Sequence, residues 1–266
     1  MSRQVSTEIL KIRSTRSWWG MLIGLVVLTA ALTALGAFTA GVSFAPGAPP
    51  TPGPDDPAVL RSVYTTGYGM ATVFAMILGV LTVSTEYRHQ TVTPTFVATP
   101  QRARVVGGKL VAVVAFSLLY AVVALFVSTG FGAAVFAGRG FETALTEHDV
   151  PRALLLGLVG TAVWGVVGTG LATLIRNQIA AIVVGIGVTF ILEPLIGLAL
   201  GLFSWGADVA RFLPGAASSA IVEISPTGGP LSPDALSWWA ALLVLLGYGV
   251  VLGGFGAAVT LRRDVT

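Results

Sequence analysis

Six apolar runs separated by short polar breaks dominate the chain. They extend over about 18–41, 62–85, 110–137, 153–175, 179–203 and 236–261. A bilayer core about 30 Å thick is crossed by about 20 helical residues, so each run is long enough to span it. Five of the six contain no Asp, Glu, Lys or Arg, and the fifth contains only Glu193. Each is apolar around its whole circumference, which predicts helices facing lipid or one another rather than a soluble core. The first run comes after Lys11, Arg13 and Arg16, as the apolar part of a signal peptide would. Such regions are about 7 to 15 residues long, so this longer run reads as a retained span. The pattern predicts an all-α membrane protein with six transmembrane helices in one domain, 1–266.

Before the first run, Val5, Ile9, Ile12 and Trp19 recur at helical steps while Arg3, Lys11 and Ser14 fall elsewhere on the wheel. This predicts an amphipathic interfacial helix, with Lys11, Arg13 and Arg16 near anionic head groups and Trp18 and Trp19 at the membrane edge. An N-terminal extension of the first span is the plainer alternative.

Composition strengthens the membrane reading. Of 266 residues 55% are hydrophobic and 10% charged, against about 25% charged in an ordinary soluble domain. With no cysteine there is no disulfide, thiolate nucleophile or Cys-ligated metal, and the two histidines, His89 and His148, are far apart. The excess of basic over acidic residues lies in short breaks, not in a continuous patch, so no nucleic acid is expected. Thirteen Arg to two Lys hints at a GC-rich bacterial genome.

The placement of charge predicts orientation. Alternate connections carry eleven Lys or Arg on the side of the termini and four on the other, which holds Arg61, Arg139, Arg152 and Arg211 among eight acids. The positive-inside rule therefore puts both termini in the cytoplasm. The outer connections are rich in Pro and Gly over 45–57 and 225–233 and offer no helix. Asp55 with Asp56, and Glu142, Glu147, His148 and Asp149, read as solvated loops; no metal site is expected.

The connection 86–109, EYRHQTVTPTFVATPQRARVVGGK, holds most of the internal polar chemistry. Thr91, Val92, Thr93, Pro94 and Thr95 disfavour a long helix directly after Arg88. Thr99 and Pro100 read as the N-cap and first position of a helix running into the third span. Arg102 and Arg104 then sit in its first turns, where the macrodipole disfavours cations by up to about 1 kcal/mol each. Folding alone does not ask for them, whereas lipid phosphates or acidic groups on a cytoplasmic partner would. Glu86 and Arg88 offer a further polar clasp at the end of the second span.

Six spans with both termini inside, an amphipathic N-terminal segment, and a first cytoplasmic loop with Glu86, Arg88, Thr91, Pro100, Arg102 and Lys109 resemble the permease subunits of type-2 ATP-binding-cassette (ABC) transporters, often exporters. The resemblance covers nearly the whole chain by topology, and only 86–109 residue by residue. It implies that this loop, Arg104 included, docks into a cleft on a separate cytoplasmic nucleotide-binding subunit. It also implies a second permease chain, with ATP and Mg bound on the ATPase and no cofactor bound directly here. The localisation implied is the bacterial cell membrane, multi-pass. The larger members' sizeable extracellular domain has no counterpart in these short outer loops. No G-x-x-x-x-G-K-[ST] phosphate loop is present either: Gly107-Gly108-Lys109 runs into Leu110, and Ala103 stands where its first Gly belongs.

Within the membrane, Glu193 precedes Pro194 near the middle of the fifth run. A charge at the bilayer centre costs on the order of 3 kcal/mol, so this carboxyl is expected to face protein or water, or to be protonated. Pro194 frees a carbonyl one turn earlier, and the pair suggests a break in the helix. Gly20 with Gly24, Gly197 with Gly201, and Gly249 with Gly253 read as packing positions. Two other classes compete. A secondary transporter or channel driven by an ion gradient is disfavoured by a single intramembrane acid and no base. An intramembrane enzyme lacks any G-x-S-x-G or H-E-x-x-H motif.

Overall fold

The computed structural model describes residues 2–43, 52–88, 102–146, 149–175, 177–224 and 235–263. It is 83% helical, with no strand among the described residues. The helices are α1 (Ser2–Ser14), α2 (Ser17–Thr39), α3 (Pro57–Tyr64), α4 (Thr66–Arg88), α5 (Arg102–Gly138), α6 (Val150–Leu174), α7 (Gln178–Gly187), α8 (Glu193–Leu200), α9 (Gly206–Ala210), α10 (Pro214–Ile221) and α11 (Trp238–Arg263). Six stretches are long and apolar enough to cross a membrane: α2, α3 with α4, α5, α6, α7 through α8, and the part of α11 up to Phe255.

The span boundaries differ from the apolar runs for local reasons. Asp56 caps α3 by accepting a hydrogen bond from the Ala58 amide at 2.8 Å, and Pro57 at the first position needs no partner for a missing N–H. The second span therefore begins five residues before its apolar run. Helix α5 has 37 residues, about 55 Å, and projects well beyond a bilayer core. Thr91, Thr99 and Pro100, with the expected cap, lie outside the described residues, as do Arg176, Glu147, His148 and most of the two Pro- and Gly-rich connections.

Helix α6 is the hub, packing most extensively against α4 and α11. Its crossing with α4 is backbone-close: a Cβ at Gly168 would lie 2.1 Å from the Met76 carbonyl oxygen, and one at Gly79 2.2 Å from that of Gly165. Small side chains at these points let the helices approach. Of the glycines singled out in the sequence, Gly24 rests on Phe74 and Gly249 on Val166, while Gly20 and Gly197 have nothing within 4 Å of a modest side chain.

The fifth span is interrupted where Pro194 predicts. Residues Val188–Leu192 form one π turn, and the Glu193 N–H reaches the Val188 carbonyl five residues back. The break is thus a widened turn that keeps the chain continuous from α7 into α8. After it the chain folds back through α9 and α10, elements that the apolar runs do not announce. Helix α10 is packed into the bundle: Ala217 and Ile221 are fully buried near Trp164 and Leu245. Ser218 anchors it, accepting a hydrogen bond from the Trp164 indole at 2.9 Å and sharing one of 2.6 Å with the Tyr68 hydroxyl.

Candidate functional site

Helix α1 is separate from the first span, because its apolar side is used. Ile9 and Ile12 pack with Leu25, Phe116 and Trp18, and α1 crosses α5 at Gly108, where a Cβ would lie 3.2 Å from Gln4. Glu8, four residues before Ile12, shares that buried side and is only 5% exposed. A carboxylate there demands partners.

It finds two. Glu8 Oε1 accepts from Lys11 Nζ at 2.6 Å, and Glu8 Oε2 from Lys109 Nζ at 3.0 Å. Both ammonium groups also reach Glu86 Oε1, each at 2.9 Å. Helical spacing makes this possible: Glu8 and Lys11 stand three apart on α1, and Thr82 and Glu86 four apart on α4. Lys109 completes its three donors on the Thr82 carbonyl at 3.0 Å, so the buried cation is fully satisfied. Partial burial pulls the Lys11 ammonium down, but its bonds to Glu8 and Glu86 outweigh this and hold it above the ordinary lysine value.

The cluster joins Glu86 and Lys109, the first and last residues of the polar connection 86–109. Lys11 comes with them, as does Glu8, which is not among the residues that the sequence pattern singles out. The signal that could have found it is its register on the apolar stripe of α1, three residues after Val5 and four before Ile12. Of Glu86 and Arg88, which offer a polar clasp at the end of the second span, Glu86 binds the two lysines. Arg88 and Arg104 are exposed, as are Arg13, Arg16 and Trp19. Arg102 opens α5. Trp18 is half-buried, edge-on to Phe116, and its indole donates to the Arg13 carbonyl at 3.2 Å across the α1–α2 bend.

The second polar feature lies toward the opposite end of the bundle. Glu193 is 7% exposed, and its Oε1 accepts from the amides of Gly215 at 2.6 Å and Ala216 at 2.9 Å in the first turn of α10. A Cβ at Gly215 would lie 2.8 Å from that oxygen, so glycine is what lets the carboxylate in. The break in span five and the returning helix are thus tied together by one side chain.

A family model described as "ABC-2 family transporter protein" matches residues 4–192, well over half of the chain and ending one residue before Glu193. Among curated proteins none matches the chain. The matched stretch contains all but the first two residues of α1, the first four spans and all four members of the charged cluster. This six-span, multi-pass membrane protein belongs to the ABC-2 transporter family, as a membrane permease subunit.

Proposed function

We propose that the chain is the translocating half of an ATP-driven exporter, in which two permeases pair with two cytoplasmic nucleotide-binding subunits that bind ATP and Mg. Both termini and the connection 86–109 face the cytoplasm of a bacterial cell, as the eleven-to-four distribution of Lys and Arg favours. The connection is the coupling element. Arg102 and Arg104 meet acidic groups of the ATPase, with Thr91 and Pro100 shaping the turn before them.

One observation carries this reading: the two ends of the connection are bound to each other and to α1 by Glu86, Lys109, Glu8 and Lys11. A push on 86–109 is therefore delivered to α4, α5 and α1 together rather than absorbed by one flexible helix end. A unit tied in this way can move as one rigid body when the membrane part switches. Glu193 and Pro194, at the break within span five, then lie where a route between paired permeases opens and closes.

The test is co-expression with the ATPase encoded next to this reading frame. The purified chain is expected to retain that ATPase, and inverted vesicles to take up cargo only with ATP. Arg102→Glu combined with Arg104→Glu should abolish retention and uptake while the chain still inserts. An unchanged ATPase complex in that variant, or uptake driven by an ion gradient without ATP, overturns the proposal.

A further inference from the structure

Beside the charged cluster lies an open cavity of about 540 Å³, lined by α1, the start of α2, the end of α4 and the start of α7. Its size falls within the roughly 300–1,000 Å³ of small-molecule sites. Its wall is divided in chemistry. Ile12, Trp18, Leu78 and Leu81 give it an apolar floor, whereas Lys11 and Arg88 stand among its polar residues. Glu8 and Glu86 also line it, but with Lys11 and Lys109 they form a group of four charges whose sum is zero. Exposed Arg88 also lines the cavity and stands outside that group, as a second cation beside Lys11.

Two further features narrow the occupant. Lys11 uses two of its three donors on Glu8 and Glu86, and its side chain is 43% exposed, so a donor remains for an incoming acceptor. The cavity also sits where the apolar spans give way to charge, with an indole in its wall, which is the level of lipid head groups. A soluble anion would have no use for the floor, and a purely apolar ligand none for Arg88.

We propose that this cavity binds one anionic phospholipid of the adjoining leaflet. Its phosphate sits between Arg88 and Lys11, and the first part of an acyl chain lies on Ile12, Trp18, Leu78 and Leu81. Arginine suits the phosphate because its planar donors pair with two oxygens at once. The lipid would brace α1 against α4 and α7 from the side that the ion pairs leave open. The site does not rest on ATPase coupling, since its readout needs the permease alone.

The full-length chain, purified in mild detergent and stripped of lipid, is titrated with phosphatidylglycerol, phosphatidylcholine or soluble glycerol phosphate. Retention is measured by native mass spectrometry and unfolding by thermal shift. Phosphatidylglycerol should stay bound and raise the unfolding temperature, and the other two should do neither. Arg88→Gln should weaken phosphatidylglycerol about ten-fold, the loss of one charged hydrogen-bonding group. Thr85→Trp, which fills the cavity while keeping Arg88, should exclude the lipid; Arg211→Gln, at the opposite end, should leave binding intact. Equal binding of the two lipids, equal binding of glycerol phosphate, or an unchanged affinity in Arg88→Gln overturns the proposal.

Discussion

The two ends of the bundle secure their charged residues in different ways. At the end that carries α1, side chain answers side chain: Glu8, Lys11, Glu86 and Lys109 pair across three helices. At the other end, side chains mostly answer backbone. Arg139 donates to the carbonyls of Ala37 and Ala40 where α2 stops, and Arg61 to that of Glu223. Tyr64 donates to Thr143, and Glu193 accepts from two amides of α10. Backbone partners mark where a helix must end and are fixed by the fold. Ionic partners depend on the identity of both residues, so that end is sensitive to charge and suited to moving as one piece.

The sharpest way to break this contrast is to remove one charge from the ionic end. Lys109→Met keeps the length and apolar stem of the side chain but takes one cation away from two carboxylates, Glu8 and Glu86. Breaking a buried ion pair from one side costs about 3–5 kcal/mol. The expected outcome, read by denaturant unfolding in detergent, is a loss of that order, largely recovered when Glu8→Gln is added. If Lys109→Met costs no more than an exposed substitution, the cluster is not holding α1, α4 and α5 together.

At the other end, Arg139→Met removes a cation but strands no opposite charge. Its carbonyl partners sit at the last turn of α2, where water can replace the guanidinium. Loss of hydrogen bonds to a charged group predicts about 1.5–3 kcal/mol, less than for Lys109. Addition of a second substitution should give no recovery comparable to that from Glu8→Gln. Equal losses at the two ends would dissolve the distinction between them.

Features set by hydrophobic length are legible in the sequence, and features set by contact much less so. The six spans, the helical N-terminal segment and the disturbance before Pro194 can be read because each is a property of consecutive residues. Glu86, Lys109 and Lys11 stand out one at a time as unusual charges, but their convergence depends on how α1 crosses α5 at Gly108. Glu8 escapes notice because one acid in a polar segment looks ordinary until the face it shares with Ile12 is buried. The close seam at Gly79, Gly165 and Gly168 is hidden for a related reason. Among 33 glycines, spacing alone cannot tell which meet a neighbouring backbone. Helices α9 and α10 are equally hard to foresee, because they are short and owe their place to Ser218, Trp164 and Tyr68 rather than to length.

The smallest expected effect isolates the exposed member of the ionic cluster. Lys11 is half in water, so its pairs with Glu8 and Glu86 are screened, and their worth is at most about 1 kcal/mol. Because the folded protein holds its ammonium above the ordinary value of 10.5, the contribution is fully present below that pH. It is lost as the pH rises through the higher folded value. Lys11→Arg keeps the charge throughout this window, since a guanidinium titrates above about 12. Unfolding midpoints of the two proteins should therefore run together near about pH 9. They should separate above about pH 10.5, with the native lysine falling faster. Every other titrating group is common to both chains and cancels in the difference. A divergence at alkaline pH thus reports on the end that carries α1, and parallel curves would mean that Lys11 contributes nothing to it.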